Sequence, residues 1–326
     1  MKNSIYNLVA VVFSGLAIAV SLPSCSKDVP IGEPIDIDTG YTLPQEGASD
    51  EDNARIIDIY DRWGSFVIYR IDPDDIFWQQ ISGNASTGGR VNKYIEGDPS
   101  YVGDMLDYLD KVWWQYFPDD FMKTGGAPYR IYIVEEYYVE RYFDGGDIRK
   151  YPADYYIGEN FIVLGGMSTV ASLDEAALKS KKIALITALW TEYVSSGVLT
   201  TPTEFYTVSD YTTKPEMTYN PTTYSYEYTP EQLEALRNRG FIPNYSQYGY
   251  SVYNEIYMKY SETNDTWSSS DPRSNDFNYY IAQILNATDE EAAEFLKYET
   301  VATKWNIILD YYKDNYGIDL RAIATE

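Results

Sequence analysis

The chain offers 50 carboxylates, 35 tyrosines, a single cysteine and no histidine among 326 residues. Without an imidazole there is no Ser-His-Asp triad, no Cys-His pair and no His-ligated zinc. One cysteine makes neither an internal disulfide nor a thiolate cluster. Carboxylates alone remain for acid–base work, but a pair suited to glycoside hydrolysis arises in any chain so rich in acids and specifies nothing. Asp72, Asp74 and Asp75 in I-D-P-D-D lack the mid-loop glycine and closing glutamate of a calcium loop and read as a solvated turn. Gly125-Gly126, Gly145-Gly146 and Gly165-Gly166 have no phosphate-loop context and read as turns. The formal charge of −25 repels phosphate backbones, so no nucleic-acid partner is expected. Hydrophobic content of 44% assigns that acidity to the surface of a folded protein.

The cysteine has an informative address. Lys2 precedes the uncharged apolar stretch Leu8–Val20, which is short for a membrane span and fits a signal-peptide core. Leu22-Pro23-Ser24-Cys25 follows, and this resembles the lipobox of bacterial lipoproteins. That resemblance implies cleavage after residue 24 and acylation of Cys25. Two or three acyl chains anchor a protein stably where one is marginal. The S-C-S-K-D start is similar to lipoproteins of the Bacteroidetes, which implies an outer-membrane anchor and exposure at the cell surface, with the periplasmic face as the alternative. Residues 25–53, rich in Pro, Gly, Asp and Glu, read as a lipidated flexible tether, and residues 54–326 as the domain it carries.

Apolar positions at helical spacing predict a helix over Tyr101–Tyr116. Short strands are expected at Tyr129–Val134 and Phe161–Leu164. Ser172 with Glu175 reads as a capping box opening a helix to about Ser196, with Gly197 beyond its end. Thr229-Pro230 and Gly240 bracket another helix, and Thr288 with Glu291 caps a further one. A last helix around Thr303–Tyr316 closes at Gly317. Strands before residue 170 and helices after it argue α+β, with a mainly helical C-terminal part on a small sheet. Thr200–Tyr228, rich in Tyr, Thr and Pro, reads as a long loop. Its Tyr206, Tyr211, Tyr224 and Tyr226 are candidate stacking faces for a sugar or peptide, the alternative being ordinary core filling.

Three blocks taken together carry a family resemblance. They are Trp113–Val134 with N-F-I-V-L-G-G at Asn160–Gly166; I-A-L-I-T-A-L-W-T-E-Y-V-S-S-G at Ile183–Gly197; and G-F-I-P-N-Y-S at Gly240–Ser246 followed by Ser251–Tyr260 and Lys304–Leu320. In order and spacing the chain resembles the zinc-binding metallopeptidase lipoproteins encoded beside SusC/SusD-type nutrient importers. The resemblance implies a zincin-like fold with the active-site helix beside the small sheet. It also implies a zinc ion held by H-E-x-x-H, whose histidines at i and i+4 share one helical face while the glutamate activates metal-bound water. Here those positions read Thr191, Glu192, Tyr193, Val194 and Ser195, and of the family's later acidic stretch only Glu255 is kept.

Hydroxyls are far weaker zinc ligands than imidazole. No catalytic residue, metal or cofactor is therefore expected, and Thr191, Glu192, Ser195 and Glu255 stand as vestigial positions. Glu192 reads as a solvated helical carboxylate or, alternatively, a buried one hydrogen-bonded to Thr or Tyr. The function expected is that of an inactive, lipid-anchored accessory protein of an outer-membrane importer taking up glycan or peptide. Two alternatives differ in class. One is an active hydrolase using carboxylates or a non-zinc metal, such as calcium between Glu192 and Glu255. The other is a surface glycan-binding module resting on the Tyr/Trp-rich loops.

Overall fold

A computed structural model describes residues 40–72, 89–213, 218–222, 225–243, 260–261, 266–267 and 272–325. Within them the fold is α+β. Helix α1 spans Asp50–Trp63, and its start corrects the tether boundary expected at residue 53. Ser49 accepts a bond from the backbone N–H of Asp52, and Asp50, Glu51 and Asp52 fill the first turn. The acids there complement a helix dipole. Upstream, the Gln45 side chain accepts from Tyr69 N at 2.8 Å and Arg70 N at 3.1 Å and donates to Arg70 O at 2.9 Å. Part of the stretch read as tether thus belongs to the compact unit that runs from Thr42.

The main sheet takes β1 (Phe66–Ile68), passes over the excursion strand β2 (Arg90–Ile95), and continues with β3 (Arg130–Ile133). Strands β4 (Glu136–Tyr142) and β5 (Ile148–Ala153) join β2 in a separate antiparallel sheet ordered β2-β4-β5. Strands β6 (Tyr155–Ile157) and β7 (Phe161–Leu164) complete the main sheet in the order β1-β3-β7-β6. The β1, β3 and β7 strands are parallel and β6 is antiparallel to β7. The parallel strands read F-V-I, R-I-Y-I and F-I-V-L because both their faces are covered, which favours continuous apolar runs over alternation.

On one face Val67, Ile131, Ile133, Ile162 and Leu164 join a single core with the helices. Helix α2 (Val102–Val112) contributes Val102, Met105, Leu106, Leu109 and Val112, all buried, as its spacing predicts. The expected continuous helix to Tyr116 instead breaks at Trp113, whose φ of −141° ends the α-turns before a 3-10 turn at Trp114–Tyr116. Helix α3 (Glu175–Ser195) buries Lys182, Ile183, Leu185, Ile186, Leu189, Trp190 and Tyr193. Its cap is Asp174, whose side chain accepts from Ala177 N, and not the expected Ser172, which closes a preceding 3-10 turn. Helix α3 lies beside β6: Tyr155 donates to Ala184 O at 3.2 Å and Lys181 pairs with Asp154 at 2.5 Å.

Beyond residue 200 the chain forms a hairpin of β8 (Thr218–Asn220) and β9 (Ser225–Glu227), within the stretch read as a loop. It continues through helix α4 (Pro230–Asn238) and a second hairpin, β10 (Tyr260–Ser261) with β11 (Thr266–Trp267). Strands therefore also occur after residue 170. Helices α5 (Pro272–Asn286), α6 (Asp289–Leu296), α7 (Glu299–Tyr316) and α8 (Leu320–Thr325) follow. The Thr229 cap, the Thr288–Glu291 capping box and left-handed Gly317 form as the sequence indicates, and Gln232 completes a capping box at Thr229 that the sequence reading did not name. No described helix is long and apolar enough to cross a membrane.

Candidate functional site

The last two turns of α3 carry the positions singled out by the H-E-x-x-H comparison. Leu189, Trp190 and Tyr193 face the core, so Thr191 and Ser195, one turn apart, are turned to solvent and exposed. Tyr193 lies between them in sequence and on the opposite side in space. Its hydroxyl donates to Gly126 O at 2.5 Å and accepts from Trp113 Nε1 at 3.2 Å. Phe117 and Phe121 meet its ring edge-on at 6.0 and 5.3 Å. Gly126 closes a π-turn over Met122–Gly126 whose Gly125 has φ of 125°, and a side chain at 126 would strike Phe121. Tyr193 thus fixes α3 to an irregular turn that only glycines allow.

The exposed positions are engaged locally. Thr191 Oγ1 donates to Thr187 O at 3.0 Å. Ser195 Oγ lies 3.1 Å from Glu192 O and 3.5 Å from Glu192 Oε2. Glu192 is half-buried, and its carbonyl also accepts from Ser196 N and Ser196 Oγ, both at 2.8 Å. This donor set does not fit a zinc ion. The ligands would be two neutral hydroxyls bonded to their own helix and one carboxylate. Among the described residues no group of three His, Cys, Asp or Glu is placed to hold a metal. Glu255, the partner of Glu192 in the calcium alternative, lies outside the described residues, as do Cys25, Tyr224, Asp74 and Asp75; Asp72 is exposed.

Two open clefts lie elsewhere among the described residues, and Glu192 lines neither. One, of about 460 Å³ between α1 and α2, is bordered by Glu51, Arg55, Asp58, Arg62, Asp110 and Trp114. The other, of about 300 Å³, lies where β4 and β5 meet the end of β7 and includes Glu135, Tyr137, Asp154 and Gly165.

Of the tyrosines expected as stacking faces, Tyr226 falls in β9, and Tyr206 and Tyr211 are half-buried. Tyr206 packs on the main core, edge-on to Phe205 at 5.2 Å. Tyr211 donates to Asp276 Oδ2 at 2.5 Å and meets Phe241 edge-on at 5.6 Å. Both rings serve a buried cluster that the sequence reading missed. Lys304 Nζ pairs with Asp276 and donates to Ser209 Oγ at 3.0 Å and Gly240 O at 2.9 Å. Phe205, Tyr280, Phe241 and Tyr211 surround it with ring centroids 4.2, 4.8, 5.1 and 5.7 Å away. Burial holds the Lys304 ammonium down, to a pKa of about 8, against the pull of Asp276. Burial likewise pushes the Asp276 carboxyl up, against Lys304 and Tyr211. Neither side chain has any exposure, so no substrate reaches the pair; it fastens α7 to α5. A signal was present: Lys304 sits on the stripe Val301–Trp305–Ile308–Tyr312, and Asp276 precedes Phe277 and Tyr280, each a charge at a core position.

No family model and no curated protein matches the chain. Among solved structures it is similar to a putative zinc-binding metallo-peptidase from Bacteroides caccae, at 13% identity and a TM-score of 0.41, over 85% of this chain and 91% of that one. The zinc in that name belongs to that protein.

Proposed function

We infer that the chain is a lipid-anchored accessory protein of an outer-membrane nutrient uptake system, in which a metallopeptidase-like helix serves as scaffold and not for hydrolysis. One observation supports this most. At the motif, Tyr193 is locked into the core while Thr191 and Ser195 spend their hydroxyls on carbonyls of their own helix. Peptide hydrolysis at Glu192 needs a polarised water and an electrophile for the carbonyl. The residues beside Glu192 supply neither. An extracytoplasmic anchor at Cys25, possession of an importer partner and a glycan or peptide cargo complete the reading, on the lipobox and family resemblance.

The test uses the purified full-length chain. Bound zinc is measured after soaking, together with cleavage of a mixed peptide library by the wild type and Glu192→Gln. Neither stoichiometric zinc nor cleavage is expected. Stoichiometric zinc with cleavage abolished by Glu192→Gln would overturn the reading. Acylation is checked by mass spectrometry of the Cys25 peptide, and Cys25→Ala should release the protein from membranes.

A further inference from the structure

The β2-β4-β5 sheet carries charge of the wrong sign for this protein. Its register sets Arg90 opposite Arg141 and Arg141 opposite Arg149, so three guanidinium groups cross three strands in one row on one face. Neighbouring strands lie about 4.8 Å apart, and like charges directly opposite destabilise a sheet. One acid reaches the row, at its β5 end. Arg149 pairs with Asp147 at 2.8 Å. Arg90 is exposed, and neither it nor Arg141 forms an ion pair among the described residues; Arg141 Nε is buried and has no partner. Aromatic rings lie alongside: Arg141 sits over Tyr151 at 4.7 Å and Arg149 over Phe143 at 4.6 Å. Both rings are more than a third exposed. At the other end of this face Tyr137 is buried and stacks on Tyr156 at 5.5 Å, so the open part is the arginine end.

We propose that this face is a binding site for an acidic oligosaccharide bearing uronate carboxylates. The exposed Arg90 guanidinium offers a planar fork that matches a carboxylate with two parallel bonds, and Arg141 and Arg149 add positive charge along the row. Tyr151 and Phe143 add flat apolar surfaces beside that row, which suit the C–H face of a sugar ring. The rest of the molecule selects the shape of the ligand. With a net charge of −25, the protein repels any polyanion that extends beyond the sheet. That repulsion is screened within about 8 Å at physiological salt. A thin, single oligosaccharide lying along the arginine row escapes most of it, whereas a nucleic-acid duplex or an anionic membrane does not. The site is distinct from the α3 motif and stands whether or not the chain hydrolyses peptides.

Calorimetry on the full-length chain with a hexamer of oligogalacturonate, against a neutral glucan hexamer, tests this. Binding of the acidic hexamer alone is expected, weakening as salt rises. Combined Arg90→Ala, Arg141→Ala and Arg149→Ala should weaken it by about tenfold or more, the equivalent of at least one lost charged contact. Should that variant fail to fold, Arg90→Glu alone, at an exposed position, should reduce binding while leaving the melting temperature unchanged. No binding, equal binding of the neutral hexamer, unchanged binding by folded variants, or tighter binding of dextran sulfate, duplex DNA or anionic vesicles would each overturn the proposal.

Discussion

Lys304 and Asp276 form an ion pair with no solvent exposure on either side chain, joining two helices through the centre of an aromatic box. Such pairs seldom stabilise a protein relative to apolar residues, but leaving one partner alone is costly. Lys304→Met and Asp276→Leu should each lose about 3–5 kcal/mol, and the double variant should recover most of it. Urea unfolding of the three variants measures this. A double variant as unstable as the singles would show that the pair's bonds to Ser209 and Gly240 matter more than charge.

The buried tyrosines give the fold an alkaline limit. Burial raises the hydroxyl pKa of Tyr108, Tyr137, Tyr193, Tyr280 and Tyr312 above the ordinary 10.0. A group whose folded pKa exceeds its unfolded value contributes stability that is fully present below the unfolded pKa and lost as pH rises beyond it. Stability should hold to about pH 10 and then fall. Phenolate absorbance should show an early class of exposed tyrosines and a late class that ionises only with unfolding, as followed by circular dichroism. A single titration step in folded protein would contradict this.

The cap of α3 can be located by paired substitutions. Asp174→Ala should cost about 1 kcal/mol, because Ala177 N loses its acceptor. Ser172→Ala removes only a bond to Thr169 O and should cost less. The reverse order would restore the cap expected from the S-x-x-E pattern.

Thr191 and Ser195 stand one turn apart on the exposed face of α3, but hydroxyls bonded to their own helix are poor metal ligands. Thr191→His with Ser195→His places two imidazoles at i and i+4 on exposed positions. The double variant should gain a melting temperature that rises with added Zn²⁺, and neither single variant should do so to the same extent. Peptide cleavage is not expected to follow. Recovery of cleavage would show that the remaining machinery of hydrolysis persists around Glu192.

Helix ends were legible because the devices that make them are local. Thr229 with Pro230, Thr288 with Glu291, and the glycines at 197, 240 and 317 act within a turn of where they stand. Asp174 was missed because Ser172 offered an equally good local pattern, and only the 3-10 turn before it decides between them. Strand β1 is three residues long, too short to display a period, and its pairing with β3 is set more than 60 positions downstream. At the candidate site, the sequence placed Thr191, Glu192 and Ser195 on a helix but not the direction in which they face. That depends on Tyr193 reaching Gly126, a contact across 67 positions. The Lys304–Asp276 pair was visible only as two separate anomalies on helical stripes. Part of the segment taken for a tether was a helix start, because acids that solvate a linker also suit a first turn.

Among the described strands, β2 and β5 are the outer members of their sheet, and every residue of β5 is exposed. An open strand of that kind is a template for joining another copy edge to edge. Arg149, Lys150 and Pro152 stand on β5, and Arg90 and Lys93 on β2. Strands bearing charge of one sign and a missing amide donor resist such joining. The same arginines that would greet an acidic sugar would also keep neighbouring copies from zipping together.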